Sequence, residues 1–399
     1  MIEILIAFIL GILAGTFTGL APGIHINLVA SFLVSIAPKL EIISPTSAVI
    51  FISSMSITHI FIDFIPSIYL GAPEEDSFLT VLPGHEMLKQ GSGHEAVIYA
   101  IIGAFSGVIV SILISPIFIQ IIPAIYSLIY SIIPYVLIFV SFFLIFREDS
   151  VLPAIVGFLL AGFLGLATFH LPVKNPLLPL LTGLFGLSTI FLSMKQKTSM
   201  PKQLKPRLSD IKLDKKPIIK ALLSISFIAP FCSILPGIGS SQATIIATEV
   251  SRNERKEFIF MQGCASAIFM VFSFITLYTI NKARSGSASA INELLQSISF
   301  SSIIVIFVAC LLASIVAFFL ALKVSKQFSL LVEKVNYSKI SLFICIFLFI
   351  ITIAFSSWIG VVILLTGTCL GIYTSLSNIK KSNLMAALIV PAIIYYLTN

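Results

Sequence analysis

The sequence predicts an all-α integral membrane protein built from two repeated halves. Of its 399 residues, 58% are hydrophobic and only 10% are charged, whereas soluble globular proteins carry about 25% charged residues. Apolar runs long enough to cross a bilayer recur from one end of the chain to the other. Two of these runs are interrupted by the same dipeptide, at Pro22-Gly23 and 214 residues later at Pro236-Gly237.

The first half is predicted to begin with a retained apolar helix, because the start of the chain lacks the basic residues of a signal peptide. Segment 65–95 is polar and rich in Pro and Gly, which favours a re-entrant hairpin over a span. Apolar runs and their Pro, Gly and charged boundaries predict helices at 2–18, 26–37, 46–64, 96–118, 124–146, 151–168 and 176–194.

The second half repeats this order. Segment 282–299 is its matching polar insert. Five isolated cysteines lie in apolar runs without the spacing of a metal or redox pair, so we expect small packing residues rather than disulfides. The predicted helices are 217–233, 239–250, 257–281, 300–324, 339–356, 359–376 and 383–397.

A basic segment separates the halves. Residues 195–220 contain nine Lys or Arg against two Asp. Short basic loops of multi-pass membrane proteins lie on the cytoplasmic side, so the net charge of +7 indicates orientation in the cell membrane and no nucleic-acid partner. We therefore divide the chain into a first transmembrane repeat (1–194), a basic cytoplasmic linker (195–216) and a second transmembrane repeat (217–399).

The two halves match at further positions. Gly71-Ala72-Pro73 corresponds to Ser285-Gly286-Ser287, and 164–168 resembles 370–374. Internal repeats are typical of secondary transporters; the alternative is that small residues recur by chance in apolar sequence. We expect inverted halves with broken helices, although the parity of the spans depends on the short segments 26–37 and 239–250.

Hydrogen-bonding side chains follow both Pro-Gly breaks. A broken helix in a bilayer must face protein or a watery cavity, and the start of a half-helix attracts anions. The alternative is a kink whose polar groups only repair helix packing. The candidate substrate-binding residues are Pro22, Gly23, His25, Asn27, Pro236, Gly237, Gly239, Ser240, Ser241 and Gln242.

The two polar inserts carry opposite charge. In the first, adjacent carboxylates are costly at membrane depth unless they are hydrated or bind cations, and a loop in water explains them equally well. In the second, Arg284 suits bidentate recognition of a carboxylate or phosphate and has Ser285 beside it; the alternative is an orientation-setting basic loop. The candidates for coupling to Na⁺ or H⁺ are Asp63, Glu74, Glu75 and Asp76.

Other chemistry has little support in the sequence. His59 and Asp63 are four residues apart and share a helix face, which favours a satisfied polar pair over a metal site. The chain has no HExxH, Walker or nucleophile-elbow motif. We therefore predict no enzyme, no catalytic residue, no metal site and no cofactor beyond the coupling ion, with an intramembrane hydrolase as the weakest alternative.

Short motifs recur along both halves, at 19–27, 64–76, Leu82-Pro-Gly-His85 with Gly91 and Glu95-Ala96, 235–239 and Lys282-Ala-Arg-Ser-Gly286. Together these motifs resemble the TctA family, the large membrane subunit of tripartite tricarboxylate transporters, and especially its poorly characterised archaeal-type branch. The resemblance implies ion-coupled uptake of carboxylates, with an extracytoplasmic binding protein and a small membrane subunit as partners. Typical members have small residues where this chain has His25 and Asn27.

These observations predict a permease for a small organic anion, with the site between the two Pro-Gly breaks. The alternative is a flippase for an anionic lipid such as a polyprenyl phosphate, because basic re-entrant hairpins also suit a phosphate headgroup. The lipid bilayer is the expected environment in either case, and the sequence leaves a homodimer open.

Overall fold

The structure, a computed structural model, describes residues 2–21, 44–70, 81–173, 175–195, 201–211, 214–235, 239–251, 254–295, 298–334 and 337–398. These residues are overwhelmingly helical and include no β-strand. Nine helices among them are long and apolar enough to cross a membrane. The predicted all-α membrane fold is thereby confirmed.

Among its described residues, the first half contains seven α-helices and one π-helix, Thr182–Leu187, which joins α6 to α7. α2 extends beyond its predicted end at 64, through Pro66, because neighbouring groups in a packed membrane helix can satisfy the backbone that Pro frees. The helices are α1 (Ile2–Leu20), α2 (Pro45–Leu70), α3 (Val81–Lys89), α4 (Gly93–Phe146), α5 (Val151–His170), α6 (Leu177–Leu181) and α7 (Ser188–Lys195).

The described part of the second half also contains seven α-helices, the last preceded by a 3₁₀ turn, Lys381–Met385. They are α8 (Lys215–Ile234), α9 (Ser240–Ser251), α10 (Arg255–Ile280), α11 (Gly286–Leu295), α12 (Phe300–Lys334), α13 (Tyr337–Leu376) and α14 (Ala386–Thr398). All five cysteines are free, and Cys232, Cys264 and Cys310 are buried, as expected of packing residues.

α13 is a helical hairpin rather than one straight helix. Ser357 has φ 61° and ψ −173°, which no helix accommodates. A Cβ built on Gly360 would lie only 3.3 Å from Thr352 Cγ2, whereas eight residues of straight helix extend about 12 Å. The chain therefore reverses here, as the two predicted helices 339–356 and 359–376 require.

α4 also turns back on itself. Its 54 residues would measure about 81 Å as a straight helix. Yet Glu95, near its start, pairs with Lys256 at 2.7 Å, and Arg147, just past its end, pairs with Glu249 at 3.0 Å. The two partners are seven residues apart and so at most about 25 Å from each other. α4 thus comprises two arms, in line with the predicted helices 96–118 and 124–146.

Glycines allow two pairs of helices to pack closely. Gly11 of α1 lies against Ser54 of α2, and Gly19 lies against Ile62, so the two helices run parallel. In the same way, Gly103 of α4 lies against the backbone of Phe260 in α10. A Cβ at any of these glycines would be too close to the facing helix. Such small-residue contacts are how membrane helices associate without a hydrophobic driving force between them.

The linker marks one end of the bundle, here called the linker end. Residues 201–211 contact the α3–α4 turn, where Leu204 N donates to Gly91 O at 2.7 Å. α4 and α10 begin at this end, since Glu95 pairs with Lys256, whereas α2 finishes there, since Tyr69 lies beside Gly93. α2 and α10, which the predicted repeat pairs with each other, therefore run in opposite directions.

This opposed orientation is what an inverted repeat requires. α8 likewise begins just after the linker, while α1 begins at the other end, where its Glu3 accepts a hydrogen bond from Ser44 N at 2.9 Å. The duplication itself, the domain boundaries and the cytoplasmic location of the linker stay predictions.

Candidate anion site at the start of a half-helix

The second Pro-Gly break is followed by a helix that is too short to span a bilayer. α9 has 12 residues, about 18 Å in length. At its start, Ser240 Oγ accepts a hydrogen bond from Gln262 Nε2 at 3.2 Å and lies 3.4 Å from Ser266 Oγ. Gln262 and Ser266 lie in the first half of the 26-residue α10, Ser266 close to its centre. The start of α9 is therefore deep within the membrane part of the protein.

The first turn of α9 is held by a partial capping box. Gly239 N donates to Gln242 Oε1 at 2.8 Å, the reciprocal bond that a Gln at the third helical position makes. Ser240, Ser241 and Gln242 are at most 2% exposed. The other amide atom, Gln242 Nε2, is buried with no hydrogen-bond partner among the described residues.

Such an orphaned donor costs about 1–3 kcal/mol when it stays unpaired. Beside it, the N-terminus of α9 carries the positive end of the helix dipole and the N–H groups of the first turn. The hydroxyl groups of Ser240 and Ser241 belong to the same first turn of α9. The arrangement offers neutral donors and a positive dipole, which together favour an anionic ligand.

The second insert forms a separate layer of polar contacts. Ser285 Oγ lies 2.9 Å from Ser273 Oγ of α10 and accepts from Ala288 N at 3.1 Å, so it caps the start of α11. Ser273 is seven residues beyond Ser266, about 10 Å along α10. Ser285 and Ser240 therefore belong to two different hydrogen-bonded groups. In the preceding residue, Nε and Nη2 of Arg284 are buried without a partner in the described part of the chain.

The predicted coupling residue Asp63 lies on α2, which is almost wholly buried. Asp63 is 3% exposed and accepts a hydrogen bond from Ser67 Oγ at 3.3 Å. The neighbouring His59 has its Nδ1 3.0 Å from Thr18 Oγ1 of α1. Nearer the start of α2, Ser56 Oγ lies 2.7 Å from Ser287 Oγ of α11. α2 therefore contacts the second insert directly, which joins the predicted coupling helix to the other half.

α3 is the described arm of the first insert, and it packs tightly at the linker end. Its His85 has Nδ1 3.4 Å from Ile68 O, and burial lowers the pKa of His85 to about 4, so the imidazole is neutral at neutral pH. Gln203 of the linker, 2% exposed, donates to Leu88 O at 3.0 Å and accepts from Gly93 N at 3.2 Å. The linker is thus an integral part of this hairpin.

Several predicted site residues lie outside the described residues. They comprise both Pro-Gly breaks, the polar pair after the first break and the acidic cluster: Pro22, Gly23, His25, Asn27, Glu74, Glu75, Asp76, Pro236 and Gly237. Of the predicted site residues, the structure describes those that follow the second Pro-Gly break, those of the second insert, and Asp63. Within the described ranges, no three His, Cys, Asp or Glu side chains are grouped as metal ligands would be.

Sequence reasoning missed Gln262 and Ser266. Both are buried on α10, and Gln262 Nε2 lies 3.4 Å from Ser266 Oγ. A detectable signal was present, because two polar residues four positions apart in an apolar helix share one face. The same signal had drawn attention to His59 and Asp63.

Comparison with known proteins agrees with the motif resemblance. Residues 5–386 match the Tripartite tricarboxylate transporter TctA family. The chain belongs to the TctA family. It is 33% identical over 405 aligned residues to an uncharacterized protein of Methanocaldococcus jannaschii, with 98% of this chain and 99% of the relative covered. No solved structure matches the chain.

Family membership settles the broad class of this protein. The TctA family is a component of tripartite tricarboxylate transporters, so this chain is a multi-pass membrane transporter component. A tripartite system has partner subunits, and the family is one of transport proteins rather than enzymes.

Proposed function

We propose that this TctA-family protein is an ion-coupled permease for organic anions, with a carboxylate substrate bound at the start of α9. The observation that carries the proposal is the buried Gln242 Nε2 at a half-helix start deep in the bundle, which has no hydrogen-bond partner among the residues that the structure describes. Secondary transporters commonly bind anionic groups at the N-termini of such discontinuous helices. Tricarboxylate transport by the family supports the choice of a carboxylate.

Ligand binding would use groups of both halves. Ser240, Ser241 and Gln242 would donate to the carboxylate, and Arg284 would supply positive charge from the next layer. The first break, with His25 and Asn27, would complete the site. A helix N-terminus favours an anion by about 0.3–1 kcal/mol at exposed sites and by up to about 2 kcal/mol when partly buried.

Coupling would use the acidic groups of the first half. Asp63 is buried on α2, and we propose that it takes up Na⁺ or H⁺, with Glu74, Glu75 and Asp76 as further candidates. Opposed α2 and α10 would move relative to each other as the site opens to either side, as inverted-repeat transporters do. An extracytoplasmic binding protein and a small membrane subunit would deliver the substrate.

The test is a thermal-shift titration of the purified protein with mono-, di- and tricarboxylates, with and without Na⁺. We expect one carboxylate class to raise the melting temperature. Gln242→Glu keeps the acceptor for Gly239 N but replaces the amide donor by a negative charge. It should weaken carboxylate binding by at least about tenfold, equivalent to about 1.4 kcal/mol.

The matched control is Gln90→Glu, the same chemical change at an exposed position of the α3–α4 turn. It should leave the carboxylate titration unchanged. Equal affinity of the wild type and Gln242→Glu would disprove the site. Stabilisation by a polyprenyl phosphate and by no carboxylate would instead favour the lipid flippase.

A further inference from the structure

A lysine ammonium at the linker end is held entirely by oxygen atoms of the other half. Lys381 opens the 3₁₀ turn before α14. Its Nζ donates to Thr189 Oγ1 at 2.5 Å, to Ser188 Oγ at 2.9 Å and to Phe185 O at 3.4 Å. An ammonium has three donors, so these three acceptors satisfy all of them.

The three oxygen atoms are oriented to receive a cation. Ser188 Oγ lies 2.7 Å from Leu184 O, and Thr189 Oγ1 lies 2.6 Å from Phe185 O. These carbonyls can only accept, so both hydroxyl protons point along the helix and the hydroxyl lone pairs face Lys381. A carbonyl and two hydroxyls with lone pairs turned inward are the ligands that hard metal cations take.

The three oxygen atoms belong to an irregular part of the backbone. Phe185 belongs to the π-helix, and Ser188 and Thr189 begin α7 directly after it. A side chain at Gly371 of α13 would collide with Leu184 O, so the π-helix is pressed against α13. π-Helical turns often occur at functional sites, because their widened backbone leaves carbonyls available to other partners.

No carboxylate of the described residues forms an ion pair with Lys381. Glu148 on the α4–α5 loop contacts the same turn, but it accepts from Lys380 N at 3.1 Å and from Asn383 Nδ2 at 3.1 Å. Lys380, the other cation of this turn, is exposed. Ionisable groups within a membrane protein are expensive and usually serve a function. Here the cost is offset by neutral oxygens alone.

We propose that Phe185 O, Ser188 Oγ and Thr189 Oγ1 form an alkali-cation site whose cation is the chain's own Lys381 ammonium. The contact joins α7 of the first half to the 3₁₀ turn before the last helix of the second across 193 residues of sequence. It thus ties the halves at the linker end without an external ion. Removal of the lysine opens the site to Na⁺ or Li⁺. The inference does not depend on the anion site near Gln242.

The test compares thermal stability in NaCl or LiCl with thermal stability in N-methyl-D-glucamine chloride of equal ionic strength. N-methyl-D-glucamine is the reference because this large cation does not fit between the three oxygen atoms. In N-methyl-D-glucamine chloride, Lys381→Ala should be less stable than the wild type. In Na⁺ or Li⁺ it should gain more stability than the wild type does. Lys380→Ala removes the exposed neighbour and should respond as the wild type does.

Two double variants identify the ligands. Adding Ser188→Ala or Thr189→Val to Lys381→Ala should abolish the extra Na⁺ response. An Na⁺ response of Lys381→Ala no larger than that of the wild type, or an extra response that persists in both double variants, would overturn the proposal.

If Lys381→Ala fails to fold, variants that retain the lysine provide the test. Thr189→Val keeps the shape but removes the hydroxyl and should lower the melting temperature, whereas Thr189→Ser should restore it. Equal melting temperatures for the two would also overturn the proposal. The carboxylate titration of any folded variant reports on the proposed function separately.

Discussion

α2 and α10, which the predicted repeat pairs with each other, carry different chemistry. Both have 26 residues and are almost wholly buried, and each packs in parallel against a glycine-bearing helix. α2 buries His59 and Asp63, two titratable groups. The buried polar side chains of α10, in contrast, are neutral hydrogen-bonding groups: Gln262, Ser266, Ser273 and Thr276.

The difference indicates that the two halves have different roles. A buried carboxylate such as Asp63 is expensive in a membrane protein and can bind or release a cation. Neutral amides and hydroxyls beside a helix N-terminus cannot titrate, but they can donate to an anion. The same packing position therefore serves cation coupling in one half and anion binding in the other, according to our proposal.

The largest expected effect tests the packing that the two helices share. Gly103→Ala would place a Cβ against Phe260 O of α10, and Gly15→Ala would place one against Met55 O of α2. Each should destabilise the protein by about 1–3 kcal/mol through overpacking. The measurement is the melting temperature in detergent. Gly157→Ala is the control, because its new Cβ would lie 3.5 Å from the nearest atom.

If Gly103→Ala and Gly15→Ala were as stable as Gly157→Ala, the helices would be farther apart than the structure shows. A loss confined to one of them would mean that the two parallel pairs are not equivalent.

A functional prediction separates the two chemistries. Asp63→Asn keeps the side-chain shape but removes the charge, so transport into proteoliposomes should lose its dependence on an Na⁺ or H⁺ gradient while carboxylate binding persists. Ser266→Ala removes a hydroxyl next to Ser240 and should weaken carboxylate binding several-fold while the gradient dependence persists.

Ser111→Ala is the control for the serine variant, because its buried hydroxyl donates only to Gly107 O of its own helix in the contacts described, at 2.7 Å. Both site variants altering the same parameter would contradict the division between α2 and α10.

The smallest effect concerns the ion pair between α4 and α10 at the linker end. Glu95 and Lys256 lie 2.7 Å apart, and 48% of the lysine side chain is exposed. Because exposed pairs contribute about 0.2–1 kcal/mol, Glu95→Gln should lower the melting temperature only slightly. The loss should shrink further in high salt. A large, salt-independent loss would show that this contact orients α10 rather than merely stabilising it.

Much of the fold was predictable, and the reasons are local. The two arms of α13 were predicted on either side of residues 357–358, and the insert 282–299 was predicted to interrupt the second half, where α11 now lies. Such breaks follow from polar and small residues within apolar runs. The π-helix was not predicted, because 182–187 has an ordinary apolar composition and its widened turn accompanies close packing against Gly367 and Gly371.

The candidate site was predicted in part for the same reason. Ser240 and Gln242 were found because they follow a Pro-Gly break, which is visible in the sequence. Gln262 and Ser266 were missed because only the packing of α9 on α10 brings them to Ser240. Ser285, predicted to bind substrate, also caps α11, a role that depends on the backbone turn at the start of that helix.

The sequence by itself determined three properties: that this is a membrane protein, at which positions its helices are interrupted, and which family it belongs to. These properties belong to individual segments, because the transfer of a segment into a bilayer depends on its own composition. Tertiary structure alone decided that α2 and α10 run in opposite directions, that α9 begins beside Gln262, and that Lys381 meets Ser188. These contacts join residues far apart in the chain, and close packing between whole helices selects them.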